Sequence, residues 1–390
     1  MSAVTAIRRP DTSADAAVPQ DLLDDLTRRF AATAAAFDRD GTFPRANFDA
    51  LAQAGLIGLT VAADLGGRGA SLGETLRVLG AVAKGEPSTA LILFMTYGNH
   101  LSRARTWPRA IYERLAHEAV AGRGLVGVLR VEPELGTPVR GGLPATVARQ
   151  TSDGWTLSGA KIYSTGSTGL DWFIVWAKTD EATPRVGLFL VDPAAEGITI
   201  NHAWDHLGMR ATVSHEVVFD DTPVTALLDL RASADWAPVP GDSAQALWNA
   251  LAISTIYDGV AQAARDWLAT YLNGRIPSNL GASLATLPRV QEKFGEIEAL
   301  LYANRVLIEG AAARVDAGDP PTATEANHVK YLATNNAIRA VAIGLELTGN
   351  PGLSRTNPLE RHYRDVLCSR IHSPQDDTIL VGAGKAGLAR

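Results

Sequence analysis

The spacing of apolar residues divides the chain into three parts. Within residues 21–122, apolar residues recur every three or four positions, as at Leu22, Leu26 and Phe30. This period places them on one face of a helix, so the pattern predicts amphipathic helices throughout this part. Residues 1–20 lack the period and are predicted to form a disordered tail.

Around residue 123 the period shortens to that of extended strands. Short apolar or alternating runs follow one another, Gly and Pro separate them, and Asp153-Gly154 is typical of a hairpin turn. No helix-length segment separates the runs, so the pattern predicts an antiparallel sheet and argues against a nucleotide-binding fold built from βαβ units. The predicted strands lie at 125–131, 145–151, 155–159, 173–177, 186–191, 198–200 and 216–219.

Helical spacing returns at Leu247 and continues through most of the remaining chain. The stretch at 232–241, which contains Pro and Gly, has the composition of a linker. We therefore predict an α+β protein with an N-terminal helical domain at 21–122, a middle β domain at 123–232 and a C-terminal helical domain at 240–390.

Composition removes several classes of function. The chain has 390 residues, and 36 Lys and Arg against 42 Asp and Glu give a net charge of −6, which makes nucleic-acid binding a poor hypothesis. The single cysteine, Cys368, excludes an internal disulfide, and no metal site is expected because there is no Cys/His cluster. With no signal-peptide pattern and no apolar run of bilayer length, we expect a cytoplasmic protein with no membrane partner.

One motif has the pattern of a dinucleotide-binding site but does not lie in the βαβ unit that such a site requires. Gly382-Ala-Gly384-Lys-Ala-Gly387 matches the dinucleotide-binding pattern GxGxxG. That pattern binds a pyrophosphate at the N-terminus of a helix inside a βαβ unit of about 30 residues. Only three residues follow Gly387, so we interpret these glycines as positions of close helix packing.

A set of short segments is informative through its order along the chain. The segments are Gly55 to Leu59 before Gly66-Gly67, Leu129 to Thr137, Lys161 to Gly166, Leu207 to Ser214 before Val217 to Asp221, Arg275, Gln291, Leu347 to Gly352 and Pro358 to Asp365. In this order they resemble the acyl-CoA dehydrogenase superfamily of flavoproteins over about residues 20–390. The resemblance implies a helical domain, a middle antiparallel β domain and a C-terminal four-helix bundle, usually assembled as a homotetramer.

The resemblance also implies a flavin, FAD or FMN, between the β domain and the C-terminal helices. The Gly136 N–H and the Thr137 hydroxyl can hydrogen-bond the flavin ring or its phosphates. Arg275 matches a position that reaches the pyrophosphate, often of the adjacent subunit, because a guanidinium pairs with two phosphate oxygens. The other matching positions are Val131, Tyr163, Ser164 and Thr165 around the ring, Gln291 and Glu346 to Gly349 near the adenosine half, and Gln375. Taken singly, Gly136 could be a turn glycine, Arg275 a solvated helix-end cation and Tyr163 a packing residue.

The sequence departs from the dehydrogenase pattern at the catalytic base. Dehydrogenases of this superfamily need a carboxylate that removes the α proton of an acyl-CoA. In many members it is a Glu shortly after the segment that matches Ile371-His372, where this chain has Ser373-Pro374-Gln375-Asp376-Asp377. Other members place it where this chain has Asn249. The usual base is missing, and so are the Asp and Arg that many relatives use to contact CoA.

These losses suit the branch of dibenzothiophene and sulfone monooxygenases and amine and amino-sugar N-oxygenases. Members of that branch receive reduced FMN or FAD from a separate flavin reductase. A flavin C4a-hydroperoxide needs hydrogen-bond donors and a general acid rather than a carboxylate base. His372, His100 and Ser164 are the candidate catalytic residues, for a small sulfur- or nitrogen-containing or hydrophobic substrate.

Two other functions stay open at this point. Asp376 or Asp377 could serve as the relocated base of an acyl-CoA dehydrogenase or oxidase, although carboxylates also favour the start of a helix. The chain could instead be a non-catalytic scaffold with a flavin-protein fold. His100 could equally be an ordinary buried helix histidine, and His372 could hydrogen-bond the final turn.

Overall fold

The computed structural model describes residues 17–103, 106–135, 142–233 and 243–389. The predicted flavin-binding residues Gly136 and Thr137, like most of the predicted tail, lie outside the described residues. The predicted fold class is confirmed, because helices, a β-sheet and helices follow one another along the chain.

The N-terminal part consists of α-helices that pack their apolar faces together. The helices are α1 (Gln20–Asp40), α2 (Arg45–Gln53), α3 (Leu72–Gly85), α4 (Pro87–Gly98) and α5 (Arg109–Val120). Phe30 and Leu79 are at most 1 % exposed and belong to the main core. The Ser71 side chain caps α3 by accepting a hydrogen bond from the Glu74 N–H. A π-helical turn at Asn99–Arg103 continues α4, and such turns are frequent at functional sites.

In the middle part, the described residues form one sheet of eight strands. The strands are β1 (Val126–Leu129), β2 (Val147–Thr151), β3 (Gly154–Ser164), β4 (Trp172–Thr179), β5 (Arg185–Val191), β6 (Ile198–Asn201), β7 (His215–Pro223) and β8 (Ala226–Ala232). Their order is β6-β7-β3-β2-β4-β5-β8, and β1 pairs with β4. Most pairs are antiparallel, as predicted, but β1 and β2 each run parallel to β4. A parallel pair needs a long connection, which is usually a helix. Here the chain between β1 or β2 and β4 contains the strand β3.

Both faces of the central strands are buried. In β4, Phe173 and Val175 face the main core, whereas Ile174 and Trp176 belong to a second core that α5 helps to cover. This burial explains why β4 reads as a continuous apolar run instead of an alternating one. Strand β8, which the sequence pattern did not predict, contributes Leu228 to the second core. This strand directly precedes the stretch at 232–241, which contains Pro and Gly.

The C-terminal part is helical again. It contains α6 (Ser243–Gly274), α7 (Pro288–Asp316), α8 (Ala323–Thr348), α9 (Asn350–Leu353), α10 (Leu359–Leu367) and α11 (Asp376–Leu388). A capping box of Thr322 and Glu325 begins α8. The glycines of the GxGxxG pattern lie in α11, which follows helical turns and not a strand. Their interpretation as positions of close helix packing is wrong, because a Cβ at any of them would meet no described atom of another element within 4 Å. Within the described part of the chain, no helix is both long and apolar enough to cross a bilayer.

A cluster of polar contacts joins the three parts. The Arg364 guanidinium binds both carboxylate oxygens of Asp38, at 2.9 and 2.6 Å, and so links α10 to α1. The Arg210 Nε donates to the Asp38 carbonyl oxygen at 2.8 Å. The Met209 N–H donates to Oδ1 of the buried Asp365 at 2.7 Å. The segment between β6 and β7 is therefore fixed to both helical parts.

Candidate active site

A cavity of about 190 Å³ lies where α4, β1, α6 and the segment after α10 meet. Phe94 stacks on Trp248, with 5.4 Å between ring centroids and 8° between ring planes. Gly98 makes room for this pair, because a Cβ at that position would overlap the Trp248 indole. His372 and Ser373 line the cavity as well. The segment that carries the catalytic base in many dehydrogenases therefore begins at this cavity.

His372 is the predicted catalytic residue that the structure brings to the cavity. Its Nε2 lies 2.7 Å from the Tyr257 hydroxyl oxygen, whereas its Nδ1 has no hydrogen-bond partner among the described residues. Burial, and then the charge of Lys330, lower the pKa of His372 to about 4. The imidazole is therefore neutral near pH 7. Burial also raises the pKa of Tyr257 well above its ordinary value, so the phenol keeps its proton.

The two aspartates considered as relocated bases have other partners. The Lys330 Nζ lies 3.2 Å from Oδ1 of Asp376, and the Asn335 Nδ2 donates to Oδ2 at 2.9 Å. Oδ1 of Asp377 accepts a hydrogen bond from the Thr378 N–H at 2.8 Å. Both carboxylates stand in the first turn of α11, and neither belongs to the described residues that line the cavity.

The other polar groups at the cavity are amides and a guanidinium. Oδ1 of Asn249 accepts a hydrogen bond of 2.8 Å from the side-chain amide one turn earlier in α6. The Asn99 Nδ2 donates to the Met95 carbonyl oxygen at 2.8 Å, and its buried Oδ1 has no donor among the described residues. Arg130 adds a positive charge. No Asp or Glu is found among the described lining residues.

The other two predicted catalytic residues are buried but do not line this cavity. His100 is 5 % exposed, and neither ring nitrogen has a hydrogen-bond partner within the described parts of the chain. Burial lowers the pKa of His100 to about 4. Ser164 is 1 % exposed, and its hydroxyl oxygen lies 3.4 Å from the Lys161 carbonyl oxygen. Catalytic roles for His100 and Ser164 stay predictions.

The end of β3 presents an aromatic surface. Tyr163 is 54 % exposed, and its φ of 55° lies in the left-handed region, which is unusual for a residue with a side chain. Its ring meets Trp204 and His206 edge-on, with centroid distances of 6.2 and 5.9 Å. Trp204 and His206 stack on each other at 3.6 Å. Nearby, the Thr165 Oγ1 accepts a hydrogen bond of 3.2 Å from the Ser214 hydroxyl.

The residues predicted near the phosphates and adenosine lie elsewhere. Arg275 follows α6 directly and is exposed. Gln291 donates to the Ala285 carbonyl oxygen at 3.0 Å, and Glu346 pairs with Arg339 at 3.0 Å. Among the described residues, no hydrogen bond or ion pair joins this group to the end of β3. The roles of Arg275, Gln291 and Glu346 in binding a flavin stay predictions.

The last predicted flavin-binding positions are at segment ends. Val131 follows β1, and its carbonyl oxygen accepts a hydrogen bond from the Ile162 N–H at 2.9 Å. Gln375 is the residue before α11. Gly349 ends α8 with a φ of 59°, a conformation that favours glycine. Their roles in binding a flavin stay predictions.

Tyr257, Lys330 and Arg130 were not predicted from the sequence. Asn249, Ile253 and Tyr257 stand four residues apart, so they share one face of α6, and the first two line the cavity. Extending that spacing by one turn would have pointed to Tyr257. Lys330 is a charged residue on a buried face of α8 whose other members are uncharged, which is the signal of a cation with a specific partner.

Comparison with known proteins identifies the family. Models of the acyl-CoA dehydrogenase N-terminal, middle and C-terminal domains match residues 19–110, 130–222 and 243–373. The putative acyl-CoA dehydrogenase YdbM of Bacillus subtilis (strain 168) is 32% identical over 361 residues, which cover 91% of this chain and 92% of YdbM. The chain belongs to the acyl-CoA dehydrogenase family. The resemblance inferred from the ordered segments is thereby confirmed.

The chain is also similar to proteins whose names are not those of dehydrogenases. The L-evernosamine nitrososynthase of Micromonospora sp. is 31% identical over 408 residues, covering 98% of this chain and 93% of that enzyme. The structure of KijD3 in complex with FMN and dTDP-3-amino-2,3,6-trideoxy-4-keto-3-methyl-D-glucose has a TM-score of 0.80 at 29% identity, covering 98% of this chain and 96% of KijD3. FMN-bound TdsC from Paenibacillus sp. A11-2 has a TM-score of 0.81 at 23% identity, covering 94% and 96%, and supports the fold alone.

Proposed function

We propose that this family member is the oxygenase of a two-component system. It would bind flavin that a separate reductase supplies in reduced form, and oxygenate a small sulfur- or nitrogen-containing or hydrophobic substrate. The observation that carries the proposal is the set of groups around the 190 Å³ cavity. These are an aromatic pair, amides, a guanidinium and a neutral imidazole, with no carboxylate on any described lining residue.

The cavity is poorly equipped for dehydrogenation. Removing a proton α to a thioester requires a base held against that proton. The amide of Asn249 cannot accept a proton near neutral pH. Asp376 is held by Lys330 and Asn335, and Asp377 bonds the backbone of its own helix. Neither aspartate would act as a base without first giving up these contacts.

The end of β3 fits a flavin ring. When bound in reduced form, the flavin supplies the electrons that activate dioxygen. The exposed ring of Tyr163, supported edge-on by Trp204 and His206, is a surface on which a planar aromatic group can pack. The exposed Arg275 suits a phosphate, and the family resemblance supports a homotetramer in which a second subunit completes the site.

His372 would act as a hydrogen-bond donor in the cavity. Because the Tyr257 phenol keeps its proton, its O–H donates to Nε2 of His372, which leaves the imidazole proton on Nδ1. The Nδ1–H then has no partner among the described residues and can donate to an oxygen atom on which negative charge develops. Tyr257 is thus a positioning residue that selects the tautomer of His372.

The similarity to a nitrososynthase supports a nitrogen-containing substrate. The stacked pair of Phe94 and Trp248 supplies an apolar wall, while Asn99 and Arg130 can orient a polar substituent. We therefore place amines first among substrates, ahead of thioethers and purely hydrophobic compounds.

The proposal is tested by labelled oxygen. The protein is mixed anaerobically with reduced FMN, exposed to isotopically labelled dioxygen and offered an amino-sugar nucleotide, a thioether and indole. We expect one labelled oxygen atom in a product, detected by mass spectrometry. His372→Ala should lower turnover about 100-fold, and Tyr257→Phe should lower it less. Asp377→Asn serves as a control that leaves turnover unchanged.

Two results would contradict the proposal in different ways. Anaerobic bleaching of bound FAD by butanoyl-CoA, lost in Asp376→Asn or Asp377→Asn, would establish a dehydrogenase with a relocated base. Failure to bind FMN or FAD in either redox state would instead indicate the non-catalytic scaffold.

A further inference from the structure

A second cavity, of about 1000 Å³, lies between α1 and α3 on one side and α6, α7 and α10 on the other. It shares no described lining residue with the candidate active site. Leu76, Trp267 and Ile308 contribute apolar surface to its walls. Its volume is at the upper end of the roughly 300–1000 Å³ of small-molecule pockets. Neither the proposed oxygenation nor the flavin accounts for a cavity in this place.

Arg361 lines this second cavity and has no partner among the described residues. Only 7 % of the residue is exposed, and its Nε is buried without an acceptor. No hydrogen bond or ion pair of its guanidinium is found in the described parts of the chain. The adjacent His362 is 5 % exposed, also lines the cavity, and has a buried Nδ1 without a partner. Buried arginines are almost always paired, so this guanidinium calls for an acceptor.

Other charged side chains around the second cavity are already compensated. Lys84 pairs with Asp266 at 2.5 Å. Asp258 accepts hydrogen bonds from two side-chain amides. Asp316 accepts hydrogen bonds from backbone N–H groups at the start of α3. Exposed charges on α7, Arg305 and Glu309, are of opposite sign. Arg361 is therefore the buried cation that can take up an added negative charge.

The surroundings of Arg361 favour a single negative charge. Asp365, one turn further along α10, is 3 % exposed and accepts a hydrogen bond from the Met209 N–H. It makes no ion pair with Arg361 at 4.0 Å or less. Burial raises the pKa of Asp365 to about 7, and Arg361 acts in the opposite direction. A doubly charged ligand beside Arg361 would be repelled by the Asp365 carboxyl. The guanidinium balances the charge of a singly charged ligand.

We propose that the second cavity binds a small organic carboxylate. Its carboxylate group pairs with the Arg361 guanidinium, whose planar fork matches the two oxygens. Its aliphatic body lies along Leu76 and Ile308, where apolar surface is removed from water. The neutral ring of His362 offers a further hydrogen-bonding nitrogen. This site stands independently of the proposed oxygenase activity.

Octanoate is the probe for this site, and octanamide and inorganic phosphate are its comparisons. Each is titrated into the full-length protein by calorimetry and followed by thermal unfolding. Octanoate should bind once per chain and raise Tm, and octanamide should bind at least about tenfold more weakly because it lacks the charge. Arg361→Gln should weaken octanoate binding about 10- to 100-fold. Arg130→Gln, the matched change at the other cavity, should leave octanoate binding as it is.

Two further variants keep the test decisive if Arg361→Gln folds poorly. Ala263→Leu narrows the second cavity, leaves Arg361 in place and should weaken octanoate binding. Arg361→Met removes an unpartnered buried cation, so the Tm of the ligand-free variant should be no lower than that of the wild type. The proposal is overturned by absence of octanoate binding, by tighter binding of phosphate than of octanoate, or by loss of binding in Arg130→Gln but not in Arg361→Gln. A fall of Tm in Arg361→Met would equally overturn it, because the guanidinium would then have a partner within the fold.

Discussion

Two lysines are fully buried, one in the sheet and one in the C-terminal helices, and their surroundings differ. Lys161 and Lys330 each have 0% exposed surface, and each binds a carboxylate. The side chain of Glu132, the partner of Lys161, is 2 % exposed, whereas that of Asp376, the partner of Lys330, is 27 % exposed. The first pair is sealed inside the fold, and the second reaches water beside the candidate active site.

The pair in the sheet is saturated with hydrogen bonds. The Lys161 Nζ lies 2.6 Å from Oε1 of Glu132, which also accepts hydrogen bonds from the hydroxyl and the N–H of Thr146. Oε2 accepts a hydrogen bond from the Ala145 N–H at 2.6 Å. Burial lowers the pKa of Lys161 to about 8, so the amine is still charged near neutral pH. The pair fixes the residues after β1 and before β2 to β3.

The pair in the helices leaves more of its charge unmatched. The Lys330 Nζ makes one contact of 3.2 Å with Asp376, and its charge reaches His372 strongly enough to lower the pKa of that ring further. A saturated buried pair holds neighbouring strands together, whereas an incompletely matched pair can act on a group nearby. This difference separates a structural lysine from one that influences the candidate active site.

The largest effect is expected from breaking the pair in the sheet. Lys161→Met leaves the Glu132 carboxylate buried without its counter-ion, which should cost about 3–5 kcal/mol of the free energy of unfolding. Urea denaturation measures this loss. The double change Lys161→Met and Glu132→Leu should recover part of it, because no unpaired charge then remains. A loss below about 1 kcal/mol in the single variant would show that Glu132 finds other compensation.

Acid should destabilise the folded protein through His372, next to the pair of Lys330 and Asp376. The pKa of His372 is lowered to about 4, so between the ordinary 6.5 and about 4 the unfolded chain binds a proton that the folded protein does not. The stabilising contribution is complete above about pH 6.5 and is lost as the pH falls towards 4, at most about 3 kcal/mol. His372→Asn should flatten the fall of Tm as the pH falls from 6.5 towards 4. An equal fall of Tm with pH in the wild type and in His372→Asn would show that the pKa of His372 is the same in the folded and unfolded protein.

The smallest effect is expected from Lys330→Met. Asp376 reaches water and can be solvated, so the loss of stability should be about 1–2 kcal/mol, below that of Lys161→Met. Because one of the two influences on His372 is removed, its pKa should rise, which NMR of the imidazole can follow. Lys330→Arg, which keeps the charge, should preserve the pKa of His372. A pKa that stays the same in Lys330→Met would leave burial as the whole cause.

The three-part fold could be predicted from the sequence because its apolar period changes near residues 123 and 247. The strand β8 was missed although apolar and charged residues alternate from Leu228 to Arg231. The parallel pairing of β1 with β4 depends on a register that no local pattern encodes. Periodicity describes one element at a time. Pairings between distant elements need the folded chain.

The candidate site was predicted in part. His372 was found because the family pattern ends there, whereas Tyr257 was missed because a buried tyrosine on an apolar helix face reads as packing. The ring of Tyr257 contacts a residue 115 positions later. Arg361 was likewise missed, since its lack of a partner becomes visible only when burial is known.

The contact between Asp38 and Arg364 has a consequence for the timing of synthesis. These residues are 326 positions apart, and they join the first helix to a helix near the end of the chain. At roughly 5–20 residues per second, a ribosome needs about 16–65 seconds between making one partner and the other. During that time α1 can pack on α3, but its carboxylate has no guanidinium to meet. The contact that joins α1 to α10 therefore forms only after residue 364 has emerged.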